Sequence, residues 1–370
     1  MRRHNRALVL QTVAGEQPVS RARIAARTGL TRGTVSSLVD DLLAAGLVAE
    51  LGVTRGGTGR PASPLQLNRS GPAGLGLEIG VETVGACVVD LTGAVRAQAQ
   101  IPSPHRTEAP AVGLGALVSV AARVVAGAGL PVAGVGVAVP GVLADGVLER
   151  APNLPRWRDV DVAARVGEVL APEVGDVPVT AGNEADLGAL AEHVTGSGGD
   201  DVLYVSGGIG VGAGIVLDGR AFRGAGGRAG ELGHVVVDAA GPECSCGGSG
   251  CLESAAGLEA LCRAAGVGDL DALTAAAARE ERPTVEALTA GGRALGIALA
   301  GAVNLLDVPV VVLGGAYARL GRVLQKAVAD ELARRVLWRS PVEVRMSPLG
   351  PDAALVGAAV SVVRELVRAG

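Results

Sequence analysis

The stretch 230–253, GELGHVVVDAAGPECSCGGSGCLE, decides how the rest of this chain is read. It places His234, Cys244, Cys246 and Cys251 within eighteen positions, and the Cys-x-Cys-x4-Cys run is rich in Gly. A Gly-rich loop folds back tightly enough for three thiolates to converge. Imidazole and thiolate in a set of four suit tetrahedral zinc, and a set with no open position is structural. A disulfide or unrelated buried thiols are the alternative. Five Cys in 370 residues, with no secretory segment ahead of them, favour the metal. The expected cofactor is one structural Zn2+. Glu231, three residues before His234, and Glu253, two after Cys251, would then be held rigid by the loop. Rigid acceptors suit a polyol, whose hydroxyls need fixed partners, but the two acids read equally well as supports for His234.

The pair E-x-G-H (231–234) and C-x-C-G-x-x-G-C-x-E (244–253) resembles the ROK family of repressors, open reading frames and sugar kinases. The Gly-rich run from Gly207 to Gly214, with Gly219 and Gly224, is similar to that family's central motif. The resemblance spans about residues 70 to 370. It implies an α/β chain with a two-lobed actin-like (ribonuclease H-like) sugar-kinase fold and a sugar site beside a structural zinc. Lobe 1 is then expected over 70–185 and lobe 2, with the zinc loop, over 186–370, the last helix packing back on lobe 1. The implied monosaccharide site comprises Asn153 in the loop APNLPRW, Asn183, Glu184, Glu231, His234 and Glu253. One nitrogen of His234 would face the zinc and the other the sugar. From the residues alone, Asn183 and Glu184 read as a helix start, where a carboxylate meets free N–H groups. Asn153 by itself is an ordinary loop Asn, and Gly314-Gly315, which resembles the family's adenosine-side turn, is a tight turn.

Composition bounds the rest. Aromatic residues make up 1% of the chain and Lys occurs once, at Lys326. With abundant Ala, Gly and Val, this bias reflects a GC-rich genome more than a function. The length allows two or three domains. The uncharged run 124–144 is long enough to cross a bilayer, but Gly127, Gly129, Pro131, Gly134, Gly136 and Pro140 break it into helix end, turn and strand. No apolar segment with a cleavage site follows the Arg-rich start. A cytoplasmic protein without a membrane partner is expected.

Residues 1–69 carry ten Arg against Glu16, Asp40, Asp41 and Glu50, a net of +6, whereas the remainder is −10. A basic head on an acidic body points to nucleic acid, because phosphate neutralisation drives such binding. Ser20 is positioned to cap a helix over 21–28 that Gly29 ends, and Thr31 to cap another running to about Ala45. Helix, Gly-containing turn, helix is the helix-turn-helix arrangement. Its second helix offers Arg32, Thr34, Ser36 and Ser37 to base edges or phosphates. Two short strands, 47–51 and 64–67, flank a Gly-rich turn carrying Arg55 and Arg60, which reads as a wing. Residues 1–69 are therefore expected to form a winged helix-turn-helix domain on double-stranded operator DNA, the head that the repressor branch of the ROK family carries.

Strands follow near 75–79, 85–90 and 94–101, then a helix over 111–127 and a strand over 132–139. The segment 142–157 reads as a loop. Neither a GxGxxG nor a GxxxxGK[ST] pattern occurs, so a dinucleotide fold or a P-loop has no support. Three positions separate kinase from regulator. The family's kinases carry Asp-x-Gly-Gly-Thr in the first strand; here the run is Glu78-Ile79-Gly80-Val81-Glu82, with a carboxylate in place of the phosphate-facing hydroxyl. The kinases' catalytic Asp corresponds to Glu184, and one extra methylene misplaces a base by roughly an ångström, worth about 10²-fold. Ile209 stands where the kinases' Gly-Thr-Gly supplies another hydroxyl. The expected function is a sugar-responsive, non-enzymatic transcription regulator, a repressor of carbohydrate-utilisation genes that works as a homodimer or homotetramer. The alternative is an active ATP-dependent sugar kinase with an added DNA-binding head.

Overall fold

The computed structural model describes residues 1–52, 63–103, 105–144, 146–338 and 340–370. The head opens with α1 (Arg2–Glu16), α2 (Arg21–Thr28) and α3 (Arg32–Ala44). The Ser20 hydroxyl accepts from Arg23 N and the Thr31 hydroxyl from Thr34 N, so each helix has a side-chain cap on an otherwise orphaned N–H. Gly29 ends α2 at φ 70°, a left-handed turn that a Cβ would strain. Leu10, Val13, Ile24, Val35, Leu38 and Leu42 interlock as the core of this bundle. β1 (Val48–Glu50) then pairs antiparallel with β2 (Leu65–Leu67), and Val19 bridges to Leu65, which ties the wing base to the turn before α2. Arg55 and Arg60 lie outside the described residues.

The first lobe is a meander of β3 (Ala73–Ile79), β4 (Thr83–Val89) and β5 (Val95–Pro102), then α4 (Pro110–Ala128) and β6 (Val132–Val139), which returns parallel to β3. Between β6 and the next sheet strand lie β7 (Val142–Ala144), β8 (Val147–Arg150) and β9 (Val160–Asp161), a separate three-stranded sheet, followed by α5 (Val162–Val174). The expected loop over 142–157 is thus half strand. Strands of two to four residues are too short to show an alternating pattern. β10 (Val179–Asn183) completes the order β10-β6-β3-β4-β5.

After α6 (Glu184–Val194) the plan repeats. β11 (Val202–Gly207), β12 (Val211–Leu217) and β13 (Arg220–Ala221) form a second meander. The Cys loop and four helices follow: α7 (Leu252–Ala256), α8 (Leu258–Ala265), α9 (Leu270–Ala278) and α10 (Arg282–Leu306). β14 (Val310–Gly315), α11 (Gly321–Arg335) and β15 (Glu343–Met346) give the order β13-β12-β11-β14-β15, with β14 parallel to β11. Both sheets share one strand plan, an antiparallel three-strand start and two added parallel strands, which is the doubled architecture of an actin-like fold. α4 and α10 are long and apolar enough to cross a bilayer by length and composition. Instead, α4 lays Leu114, Leu117 and Val120 on the first sheet's core, and α10 lays Leu288, Leu295 and Leu299 on the second's.

The last helix, α12 (Ala353–Ala369), does not stay with the second lobe. It crosses back to β3, β4 and β6 and runs along α6. The approach is backbone to backbone: a Cβ on Gly136 would stand 2.1 Å from Ala358 O, and one on Gly357 would stand 1.9 Å from Leu187 O. α12 also places Leu355, Val356, Ala359, Val360 and Val363 in one apolar cluster with β4 and the head helices. One rigid rod thus touches the head, the first sheet and α6.

Candidate sugar cleft and metal loop

The Cys loop is a folded knot of backbone hydrogen bonds. Cys244 N donates to Gly248 O at 2.8 Å, Gly250 N to Pro242 O at 2.8 Å, and Val237 N to Gly250 O at 2.9 Å. Val236 bridges to Cys251. Within it, Cys246 Sγ and Cys251 Sγ stand 3.8 Å apart, and Cys244 Sγ stands 3.8 Å from His234 Nδ1. All four donor atoms lie within 4.8 Å of one another. A tetrahedron with metal–sulfur bonds near 2.3 Å has edges of roughly 3.8 Å. A disulfide needs roughly 2.05 Å, and all five cysteines are free thiols. The donor set therefore fits one tetrahedral metal ion.

His234 ends a single turn of 3-10 helix, Leu232–His234, and presents its two ring nitrogens in different directions. Nδ1 faces Cys244, while Nε2 stands 3.9 Å from Glu231 Oε2. Glu231, His234, Asn183 and Glu184 line one cleft, with Asn153 and Glu253 both close against Gly210. All six sugar candidates from the sequence meet there. Glu253 Oε2 accepts from Val211 N at 3.0 Å, and its Oε1 accepts from Ser245 at 3.3 Å, so this carboxylate is pinned between the Gly-rich strand turn and the Cys loop. Asn183 serves two ends at once. Its Oδ1 accepts from Ala185 N and Asp186 N as the cap of α6, and its Nδ2 donates to Gly141 O at 2.9 Å. One amide hydrogen is left for a ligand.

Several residues that hold the cleft gave no signal in the sequence. Arg150 on β8 donates to Cys246 O at 3.1 Å, and Arg228 forms a two-oxygen pair with Glu149, at 2.9 and 3.0 Å. The small sheet thereby clamps the Cys loop from the opposite lobe. His105 is fully buried against Trp157; its Nε2 donates to Gly80 O at 2.9 Å while Nδ1 accepts from Ser103. It props the turn between β3 and β4.

That turn lies just beyond Glu78 on β3. Glu82 is exposed on it, Ile209 is half-buried at the turn between β11 and β12, and Glu78 hydrogen-bonds Gln100 at 3.1 Å. Burial, then the nearby carboxylates of Glu184 and Asp352, push Glu78 up to about 8. Burial, then Glu253, push Glu184 up to about 7. Burial raises Asp186 to about 6 despite the Arg223 guanidinium. Glu78 and Glu184 thus retain protons in the folded chain that the unfolded chain releases as pH rises through 4.5. Their contribution to stability is full below about pH 4.5 and is lost as pH rises through 7 and 8. The thermal midpoint is expected to fall from about pH 4.5 and to level off near pH 8, each group adding a slope of up to about 1.4 kcal/mol per pH unit between its unfolded and folded values. Glu78→Gln should flatten the fall. A midpoint that rises across this window in differential scanning fluorimetry would contradict the assignment.

In the head, every acid is paired: Glu16 with Arg23 and Arg27, Asp40 and Glu50 with Arg21, and Asp41 with Arg2. Such exposed pairs add little stability, but they decide where the positive charge is left over. Arg32, exposed at the start of α3, has no carboxylate partner among the described residues. Ser37 is exposed, and its hydroxyl accepts from Arg2 at 3.3 Å; Thr34 bonds Thr31 and Ser36 is half-buried.

Comparison with known proteins agrees with this geometry. Residues 4–60 match the MarR family, and residues 74–365 match the ROK family. The xylose repressor of Bacillus subtilis (strain 168) is 28% identical over 95% of this chain and 93% of its own length. The putative xylose repressor of Caldicellulosiruptor sp. (strain Rt8B.4) is 30% identical over 98% and 96%. A ROK family transcriptional regulator described as a homolog of the E. coli MLC protein superposes with a TM-score of 0.81 at 25% identity, covering 100% of this chain and 97% of that one. A ROK family glucokinase from Streptomyces griseus, solved with glucose and AMPPNP, gives a TM-score of 0.68 at 28% identity and covers 78% of this chain and 98% of its own. The two-sheet body, the Cys loop and the match over residues 74–365 lead to one statement: this chain belongs to the ROK family, with a MarR-type winged helix at its N-terminus.

Proposed function

We propose that this chain is a sugar-responsive, DNA-binding transcription regulator acting as a repressor in the cytoplasm, and that its body has kept a sugar site but not phosphoryl transfer. The observation that carries this reading is a contrast between two sets of residues. Asn153, Asn183, Glu184, Glu231, His234 and Glu253 converge in the cleft, whereas Glu78, Glu82 and Ile209 stand where the resemblance to the family's kinases would put phosphate contacts. The exposed carboxylate of Glu82 would repel a triphosphate, Glu78 is held largely protonated and cannot pair with a metal-bound phosphate, and the Ile209 side chain offers no donor. A structural Zn2+ held by His234, Cys244, Cys246 and Cys251 would keep the His234 ring oriented, Nδ1 to the metal and Nε2 to a sugar hydroxyl.

The space between these residues is about 60 Å3, room for a few waters and not for a hexose or pentose. A sugar therefore enters only if the lobes part. α6 starts in the cleft at Glu184 and packs on α12, and α12 touches the head, so a change in lobe angle is delivered to the winged domain. An effector acts by its different affinity for the two arrangements. In a homodimer or homotetramer, two heads reading half-sites about one helical turn or a multiple apart would feel that change as a change in spacing. Arg32, Thr34, Ser36 and Ser37 would face the major groove, with Arg55 and Arg60 on the wing.

The relatives' names make xylose the first effector to try, followed by glucose. Anisotropy of a labelled fragment of the chain's own promoter, titrated with full-length protein, tests the reading. One sugar should weaken binding by about five- to 150-fold with no nucleotide present. Tight binding indifferent to every monosaccharide, or no binding at all, would contradict it.

A further inference from the structure

A second, larger hollow lies beside α12, away from the sugar cleft. It holds about 1000 Å3, the upper end of the range for small-molecule sites. Its floor is the part of β6 and β10 that α12 leaves bare, including Thr180, and its walls include Leu187, Leu190 and Val362. Four guanidinium groups stand around it: Arg220 and Arg223 from the edge of the second sheet, Arg364 and Arg368 from α12.

These charges are only partly answered. Arg368 pairs with Glu365 at 3.1 Å and Arg223 with Asp186 at 3.4 Å. Arg220 and Arg364 have no carboxylate within ion-pair distance among the described residues. Arg364 is half-buried, donates from Nη2 to Gly219 O at 3.3 Å, and keeps Nη1 shut from solvent without a partner. An unanswered, partly desolvated cation raises the energy of the empty site and is relieved by an anion. The groove also inverts its surroundings, because residues 70–370 carry a net charge of −10. A second copy docked groove to groove would set Arg against Arg, so the complementary occupant is an anion. The apolar floor adds that the anion carries an apolar body.

We propose that this groove is a second ligand site, separate from the sugar cleft, for a small organic carboxylate with an apolar body. The carboxylate would sit among Arg220, Arg364 and Arg368, and the apolar part on β6 and β10 against Leu187, Leu190 and Val362. Because Arg220 comes from one lobe's sheet and Arg364 from the helix docked on the other, the occupant would strap the two lobes together.

Octanoate is a suitable probe, with octylamine and octanol as controls of equal length, titrated calorimetrically into the full-length protein. Octanoate should bind saturably at one site per chain, and neither control should. Arg220→Glu combined with Arg368→Glu should weaken octanoate by about tenfold or more, since charge-assisted hydrogen bonds are removed and reversed. Thr180→Trp, which fills the floor without touching a charge, should do the same and serves if the charge variant does not fold. Glu253→Gln in the sugar cleft should leave octanoate binding unchanged, so failure of the sugar reading and failure of this one are distinguishable. Equal binding of octanoate and octanol, or undiminished binding in both groove variants, overturns the proposal. So does a change of oligomeric mass in the Arg variant by light scattering, which would make the groove a contact between copies.

Discussion

Cys246→Ser is expected to cost the protein its metal and to weaken monosaccharide binding by about 10- to 100-fold, the range over which misplaced metal-site partners act. Three of the six cleft residues are positioned from the Cys loop and its flanks. His234 turns Nδ1 toward Cys244 and leaves Nε2 beside Glu231. Glu253 follows Cys251 by two residues and takes a hydrogen bond from Ser245 within the loop. Without a metal, three thiols and an imidazole at about 3.8 Å spacings lose the ligand bonds that draw them together, and the loop's backbone hydrogen bonds must hold its shape alone. Metal content by plasma emission and sugar affinity by calorimetry should fall together. A variant that is metal-free yet binds sugar with full affinity would separate the loop from the cleft and refute the link.

Glu253→Gln is expected to reduce sugar affinity by about 100-fold, within the 2–5 kcal/mol range for truncating a buried, hydrogen-bonded charge. Its carboxylate is held by Val211 N at 3.0 Å and by Ser245, and it faces Gly210. An amide that keeps its oxygen on Val211 N must turn its NH2 toward Ser245 and the sugar hydroxyl. Those groups can then only accept where they donated to the carboxylate, and the charge assistance of their bonds is lost. The same substitution removes one of the two causes that hold Glu184 at about 7. The pH at which stability is lost should therefore move down in this variant. Unchanged affinity by calorimetry would remove Glu253 from the site.

How much of this was legible in the sequence depends on the range of the interaction. The metal set was readable because His234, Cys244, Cys246 and Cys251 sit close in the chain and their chemistry restricts the geometry. The head was readable from local grammar: Ser20 and Thr31 as caps, Gly29 as a left-handed stop. Asn183 read either as a helix cap or as a cleft residue, and the structure gives it both positions, its carbonyl oxygen spent on α6 and its amide turned toward Gly141. The signal of α5 is local, with Asp161 as cap and Val162, Val166 and Leu170 at helical spacing. Pro172 near its end obscured it. His105 could not have been found this way. Its partner Gly80 is 25 residues distant, and nothing local marks a lone His as a buried prop. The arginine groove is of the same kind, since Arg220 and Arg364 meet only when α12 crosses back to the first sheet.

The central claim is that sugar occupancy, and not phosphoryl transfer, is the signal this protein sends to DNA. Phosphorus NMR of a single sample holding protein, operator fragment, ATP, magnesium and the active monosaccharide tests it most directly, with operator anisotropy followed in parallel. The operator should be released while the ATP resonances stay unchanged, and release should be identical when ATP is left out. Accumulation of a sugar phosphate, or release that needs ATP, would contradict the account.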